Sequence, residues 1–279
     1  MKLNRFLMFF GFLATPLSLM GATTYEWTFD QGDLGSSLGG GIMAAADATT
    51  AGQITYGTTD GAAVPHINFQ TSRYLAVPAL TGAGNGLLLT LPSSGPNGGG
   101  SYINDYSIIM DIYSPGAAGW QALFNTDTSN GNDADFYIDA SGRLGIAALG
   151  YSTSPLILQN QWNRIAFVAD LDGGTVKYFV NGTLAFTRTG SSMRDGRFAL
   201  YSNANSGADL LLFNEGDTSG VYTHSLYVNS VGFMDSTLSD SAVAALGGAN
   251  AGGIFVPEPG SMILAAVSCA GLVARRRRA

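Results

Sequence analysis

Between Asp127 and Asp135 the chain reads Asp-Thr-Ser-Asn-Gly-Asn-Asp-Ala-Asp, a run of carboxylate, amide and hydroxyl oxygens around one glycine. Hard divalent cations take about six to eight oxygens from such loops, so Asp127, Asn132, Asp133 and Asp135 are candidate calcium ligands. The run lacks the spacing and closing glutamate of an EF-hand, and in an Asp-rich chain the same composition also makes a solvated turn. A second cluster, Asn214-Glu215-Gly216-Asp217, follows the apolar run Leu210–Phe213. Sugar binding asks for aromatic faces beside polar groups, because a sugar ring presents C–H patches as well as hydroxyls. Trp120, Tyr137 and Tyr151, all near loop positions, are candidate ligand-binding platforms, whereas Trp162 is read as a core residue.

Catalysis finds less support in the residue inventory. Retaining glycosidases need two carboxylates about 5–5.5 Å apart. Glu26 and Glu215 are the only glutamates outside the C-terminal tail, while Asp133 and Asp135 share one face of an extended segment. Lysine is confined to Lys2 and Lys177, so the Gly-rich stretch from Gly82 to Gly100 has no Walker lysine and reads as loops. Cys269 is the single cysteine and lies in an apolar run near the C-terminus, which leaves the body without disulfide, thiol or Cys-based zinc chemistry. Two histidines, His66 and His224, are too few for a His-rich metal site. No catalytic residue is assigned, and the body is read as a non-enzyme.

The elements that must position these residues follow from composition. Among 279 residues there are 38 Gly, only 12% charged side chains, and 17 Asp against three Glu. Long amphipathic helices need Glu, Lys and Arg on their wet faces, so short strands joined by tight turns are expected instead. Tyr106, Ile108, Met110 and Ile112 alternate with Ser107 and Asp111 as a strand does. Phe136–Ile138 and Leu144–Ile146 form a hairpin around Asp139–Gly142. Ile165–Ala169, a turn at Asp172-Gly173-Gly174, Val176–Val180 and the type I′ pair Asn181-Gly182 give three consecutive antiparallel strands. Phe198–Tyr201, Leu210–Phe213 and Leu226–Phe233 add short strands. One short helix is visible, with Ser239 as N-cap, Leu238 and Val243 as hydrophobic staple and Gly247 beyond its end.

The two ends read differently from the body. Met1–Ala22 has Lys2 and Arg5, the apolar run Phe6–Ala14 and small residues at Gly21 and Ala22, the order of parts in a secretory signal peptide. At the other end stand Pro257-Glu258-Pro259, the apolar run Ser261–Ala274 and Arg275, Arg276, Arg277 and Arg278. Fourteen residues at about 1.5 Å each fall short of a roughly 30 Å hydrocarbon core, but four arginines hold that end in the cytoplasm and leave the body on the far side. This arrangement resembles the PEP-CTERM sorting signal over residues 257–279. The resemblance implies processing by an exosortase, a membrane-embedded cysteine transpeptidase-like enzyme of Gram-negative bacteria that usually make exopolysaccharide. It also implies transient inner-membrane anchoring, then delivery to the cell surface, outer envelope or extracellular matrix. Without Lys2, Arg5, Glu258 and the four terminal arginines, seven basic residues face 19 acidic ones, a net charge of −12. Such a surface repels phosphate backbones, which argues against nucleic acid and in favour of divalent cations or neutral sugars.

From Trp162 onward the order Trp162, Asp172, Gly173, Tyr178, Asn181, Gly182, then Val228–Phe233, Leu238-Ser239-Asp240 and Ala245-Leu246-Gly247, resembles the laminin-G-like, concanavalin A-like jelly roll. That resemblance implies an all-β antiparallel sandwich and, for most members, glycan or protein binding without catalysis, often with calcium; some members of the wider fold are glycoside hydrolases or lyases and use a Glu-x-Asp-x-x-Glu-like strand absent here. The expected organisation is a signal peptide at 1–22, a laminin-G-like sandwich at 23–247, a Gly/Ala linker at 248–256 and the sorting signal at 257–279. The expected role is a surface-sorted, non-catalytic module binding glycan or protein in the exopolysaccharide matrix, with calcium as candidate cofactor. A carbohydrate-active enzyme and a purely structural matrix protein are the alternatives.

Overall fold

The computed structural model describes residues 22–116, 119–127, 133–190, 193–201, 210–216 and 224–255. In chain order these carry β1 (Thr24–Trp27), β2 (Ile42–Ala45), α1 (Ala48–Gln53), β3 (Thr55–Thr58), β4 (Arg73–Val77), β5 (Leu87–Thr90), β6 (Asp105–Tyr113) and β7 (Gln121–Asn125). Then follow β8 (Asp135–Ile138), β9 (Leu144–Ile146), β10 (Gly150–Tyr151), β11 (Trp162–Asp170), β12 (Thr175–Val180), β13 (Thr183–Thr189), β14 (Leu210–Leu212), β15 (Leu226–Met234) and α2 (Asp240–Leu246). The expected signal peptide up to residue 21, the candidate ligand Asn132 and the sorting-signal residues Pro257, Glu258, Pro259 and Arg275–Arg278 lie outside the described residues.

Two antiparallel sheets face each other. The first runs β13-β12-β11-β6-β15-β4-β3, with β1 also paired to β15, and the second runs β10-β9-β8-β7-β14-β5-β2. Strand alternation sends Tyr106, Ile108, Met110 and Ile112 of β6 and Phe124, Phe136, Ile138 and Leu144 of the second sheet into one shared core. Rings cross between the sheets there: Phe124 meets Phe167 at 5.0 Å and Phe136 meets Tyr178 at 5.0 Å between centroids. At the β12–β13 hairpin Asn181 and Gly182 both have positive φ, 49° and 77°, the geometry that Asn-Gly adopts most readily.

Several local expectations change in three dimensions. Phe198–Tyr201 makes only an isolated bridge, Leu200 to Ile103, because Ala199 N is spent on Gly196 O within a turn and Tyr201 takes a positive φ of 60°. The stretch from Gly82 to Gly100 contains β5, whose leucines pair with both β2 and β14. A second short helix, α1, is capped by Asp47, which accepts from Thr50 N at 2.8 Å. The predicted cap of α2 is present, with Ser239 Oγ accepting from Ala242 N at 3.1 Å. Trp162 stands on the outer face of the first sheet: its ring lies 5.6 Å from that of Tyr113 and its indole N–H donates to Pro65 O at 2.8 Å.

The Gly/Ala-rich segment 248–255 is a packed strap rather than a linker. It crosses the outer face of the first sheet, where Ile109, Ala166, Val168, Phe179 and Met234 form a second apolar cluster with Leu238, Val243 and Ile254. Beside that cluster Arg164 and Asp111 form a buried two-pronged ion pair, both contacts at 2.7 Å. Arg164 also donates to Leu246 O at 2.7 Å and Gly253 O at 3.0 Å, and Asp111 accepts from Asn250 N at 3.0 Å. Glu26 accepts the amides of Ile254 and Phe255 at 2.5 and 3.3 Å. The folded body therefore reaches residue 255, eight residues past the expected boundary, because buried charges need the strap's backbone to satisfy them.

Candidate functional site

The outer face of the second sheet gathers most of the residues named from sequence. Phe136 and Ile138 point into the core, so Asp135 and Tyr137 project outward. Tyr137 pairs across β9 with Gly145, which in turn pairs with Tyr151 of β10. A Cβ on Gly145 would come within 2.5 Å of the Tyr151 ring, so only glycine lets that ring lie flat across β9. Trp120, from the loop entering β7, stands edge-on to both tyrosines, 6.0 Å from Tyr137 and 6.0 Å from Tyr151. Trp120 and Tyr151 are half-buried; Tyr137 is only 8% exposed. Arg143, paired with Asp139 at 2.6 Å, holds its guanidinium 5.6 Å from the centre of the Tyr151 ring.

Glu215 completes this cluster. After β14 the chain turns at Phe213, whose φ of 62° is unusual for a bulky residue and is held by burial of its ring. That turn carries Asn214 and Glu215 across the sheet. Asn214 Nδ2 donates to Leu80 O at 3.2 Å, Asn125 Nδ2 donates to Glu215 O, and the Tyr137 hydroxyl donates to Glu215 Oε2 at 2.9 Å. Burial first, then the Asp135 and Glu215 charges, push the Tyr137 phenol far above its usual range, so it remains a donor at any physiological pH. Burial, reinforced by Asp133 and Glu215, pushes Asp135 up to about 7, while the Tyr137 hydroxyl and Arg197 act in the other direction. One oxygen of Asp135, Oδ1, is sealed from water with no hydrogen-bond partner.

The candidate calcium ligands are only partly brought together. Asp133 Oδ2 accepts from Asn125 Nδ2 at 2.8 Å, and Asn125 Oδ1 accepts from the backbone N–H of Asp127 at 2.6 Å. Asp127, Asp133 and Asn125 are thus knitted into the entrance to β8. Among the described residues, no group of three or more His, Cys, Asp or Glu is arranged to hold a metal ion. His66 and His224 are exposed; His66 Nδ1 lies 3.3 Å from the Thr59 hydroxyl, and the backbone N–H of His224 donates to Trp120 O at 3.3 Å, beside the aromatic cluster. A Gly-x-Ser-x-Gly string at 35–39 lies on a loop with no helix directly after it, and its Ser37 hydroxyl donates to Glu26 O at 2.9 Å, which is not the setting of a nucleophile elbow. Sequence reasoning singled out the Asn214–Asp217 cluster but not the bond between Glu215 and Tyr137, since 78 residues separate the two.

Residues 93–211 match the family model of the concanavalin A-like lectin/glucanases superfamily, and residues 255–278 match the PEP-CTERM protein-sorting motif. The described body is an antiparallel two-sheet β-sandwich of concanavalin A-like fold, matched by that superfamily's model over residues 93–211, and it is followed by a PEP-CTERM motif, the mark of proteins exported and sorted to the cell surface in Gram-negative bacteria. Domain 4 of AbnA, a GH43 extracellular arabinanase from Geobacillus stearothermophilus solved in complex with arabinotriose, is similar at 20% identity over 81% of this chain and 98% of its own, with a TM-score of 0.51. The botulinum neurotoxin serotype D binding domain is similar at 11% identity over 79% of this chain and 50% of its own, with a TM-score of 0.49. The CBM40 of the Ruminococcus gnavus IT-sialidase is similar at 17% identity over 52% of this chain and 84% of its own, with a TM-score of 0.43. These likenesses concern the fold alone. No curated protein matches the chain in sequence. Among the described residues no helix is long and apolar enough to cross a membrane; the apolar run 261–274 lies outside them.

Proposed function

We propose that the protein is an exported, non-catalytic carbohydrate-binding module that holds an extracellular glycan on the outer face of the second sheet. The observation that carries the reading is the pair of half-buried rings, Trp120 and Tyr151, held edge-on at 6.0 Å beside the buried Tyr137–Glu215 hydrogen bond: ring faces for sugar C–H patches on a fixed polar support. An exosortase removes the tail after transient anchoring in the inner membrane, and the body then acts in the extracellular polysaccharide matrix. Calcium, if it takes part, uses Asp127, Asp133 and Asp135 together with Asn132.

A glycan-array screen of the purified chain, with calcium and with chelator, tests this. Arabino-oligosaccharides belong in the panel because the arabinanase domain was solved with arabinotriose. Binding that Trp120→Ala weakens several-fold is the expected result, and silence of the unmodified chain towards every glycan under both conditions sinks the reading and favours a structural matrix role. Loss of binding on chelation would add calcium to the site. The second reading, a hydrolase, draws support from Asp135 being held near neutrality beside Glu215, since a proton donor needs that range. Release of reducing ends from a bound glycan, abolished by Asp135→Asn, would favour it.

A further inference from the structure

The ladder between β1 and β15 ends on a side chain. Thr24 pairs with Met234, and one step further Asp235 N donates to Thr23 O at 3.1 Å. Thr23 N in turn donates to the Asp235 carboxylate, to Oδ1, at 2.6 Å. Asn97 Nδ2 fixes the turn by donating to Asp235 O at 2.8 Å. Thr23 and Asp235 are both half-buried. Among the described residues no lysine, arginine or histidine is in ion-pair contact with Asp235, so its carboxylate is held by one neutral N–H. A carboxylate in that setting gains most from a donor that also carries positive charge.

Thr23 comes directly after Gly21 and Ala22, the small residues that close the leader-like segment. Hydrolysis of the Ala22–Thr23 peptide bond by an export endopeptidase puts the oxygen of water on the Ala22 carbonyl carbon and breaks the C–N bond. Ala22 leaves as a carboxylate, and the protons of that water turn the Thr23 nitrogen into –NH₃⁺. The same atom that offers Asp235 one neutral N–H then offers it three donors and a full charge, with no movement of the chain. The position of the cut matters. After Gly21 it would carry the ammonium one residue beyond the carboxylate, and after Thr23 it would remove the residue that Asp235 holds. Ala22 gives up its contact with the apolar cluster under the strap, which for an alanine is one methyl group.

We infer that the leader is cut between Ala22 and Thr23 and that Asp235 is the seat of the new terminal ammonium, an ion pair that the uncut chain cannot form. The cut chain is therefore more stable than its precursor, and leader removal favours folding on the far side of the membrane. The inference rests on the export of the chain and is independent of glycan binding.

The test starts from the chain exported and cut by a Gram-negative host, purified in mild detergent with its C-terminal tail in place. N-terminal sequencing should read Thr-Thr-Tyr-Glu. Lys2 leaves with the leader and Lys177 is the one other lysine, so in a Lys177→Arg background the terminus is the only amine and acetic anhydride caps it alone. The cap restores a single neutral N–H, as in the uncut chain. By scanning calorimetry near pH 6.5, where a free α-amine is protonated, capping should lower the melting temperature by about 1–3 °C, the scale of one half-buried ion pair. In Asp235→Asn, which keeps a neutral acceptor for the Thr23 N–H, the same cap should shift it by less than about 0.5 °C. Asp235→Ser repeats the comparison with a hydroxyl, and the melting curves themselves establish that each variant is folded. A terminus at any residue other than Thr23 overturns the inference. A cap without effect on the unsubstituted Asp235 chain overturns it too. Equal costs of the cap with and without the carboxylate show a general charge effect, and the pairing falls. None of these results bears on glycan binding, which the glycan array decides separately.

Discussion

Replacing Arg164 by methionine tests the claim that buried charges hold the C-terminal strap. The change keeps the length of the side chain and removes a guanidinium that grips Asp111 twice at 2.7 Å and bonds Leu246 O and Gly253 O. Asp111 is then left charged and fully buried, with Asn250 N as its strap donor. Removing one partner of a buried pair costs about 3–5 kcal/mol. At about 2–4 °C per kcal/mol for a domain of this size, the melting temperature should fall by roughly 6–20 °C. Burial already raises the Asp111 pKa against the pull of Arg164, and losing the guanidinium raises it further. A carboxyl with a raised folded-state pKa favours the fold at low pH and weakens it as pH climbs, so the deficit of Arg164→Met should be largest near pH 7 and narrow towards about pH 4. The double variant Asp111→Leu/Arg164→Met, which removes both charges, should recover part of the loss. Near-UV circular dichroism gives the melts, and hydrogen exchange at Asn250 and Ile254 reports the strap directly. A fall of less than about 3 °C at pH 7 with those amides still protected would refute the reasoning.

Four further outcomes follow from single contacts. Phe69, fully exposed at φ 64°, sits beside Asn68 at φ 49° in a turn closed by Ile67 and Gln70; Phe69→Gly should raise stability by about 1 kcal/mol, because glycine removes the left-handed strain and no burial is lost, and a lower melting temperature would contradict this. Glu26→Ala takes the acceptor from the Ile254 and Phe255 amides and should cost about 1–3 kcal/mol, with limited proteolysis cutting first within 249–255. Trp120→Ala should weaken glycan binding by about 0.5–1.5 kcal/mol or more, measured by calorimetry, and change the melting temperature far less than Arg164→Met, since the indole is half-buried. Asp135, with its pKa raised to about 7, favours the fold fully below its ordinary value near 3.8 and progressively loses that contribution as pH rises through 7. Asp135→Asn should therefore melt a few degrees above the unmodified chain near pH 8 and level with it near pH 4, by scanning calorimetry.

The strands of the second half of the chain were legible because their signals are local. Alternation from Tyr106 to Ile112, the Asn181-Gly182 turn and the Ser239 cap each operate within a few residues, so the pattern survives without knowledge of the partner strand. α1 escaped notice because it is six residues long with one buried side chain, too short to show an apolar stripe. Trp162 was misplaced because its aromatic character says "buried" without saying on which face of β11, and the strand's register put it outside, against Tyr113 and Pro65.

By itself, then, the chain's order of residues settled the class of the body, its lack of cysteine chemistry, its acidic charge and the sorting motif at its end, all properties of composition or of short contiguous strings. Tertiary structure alone decided that Glu215 reaches Tyr137, that Trp120 stands edge-on to two tyrosines and that Glu26 ties down residues 228 positions away. The physical reason is that these contacts depend on which strands become neighbours and on the register between them, and both are set by how two sheets share one core rather than by any window of sequence.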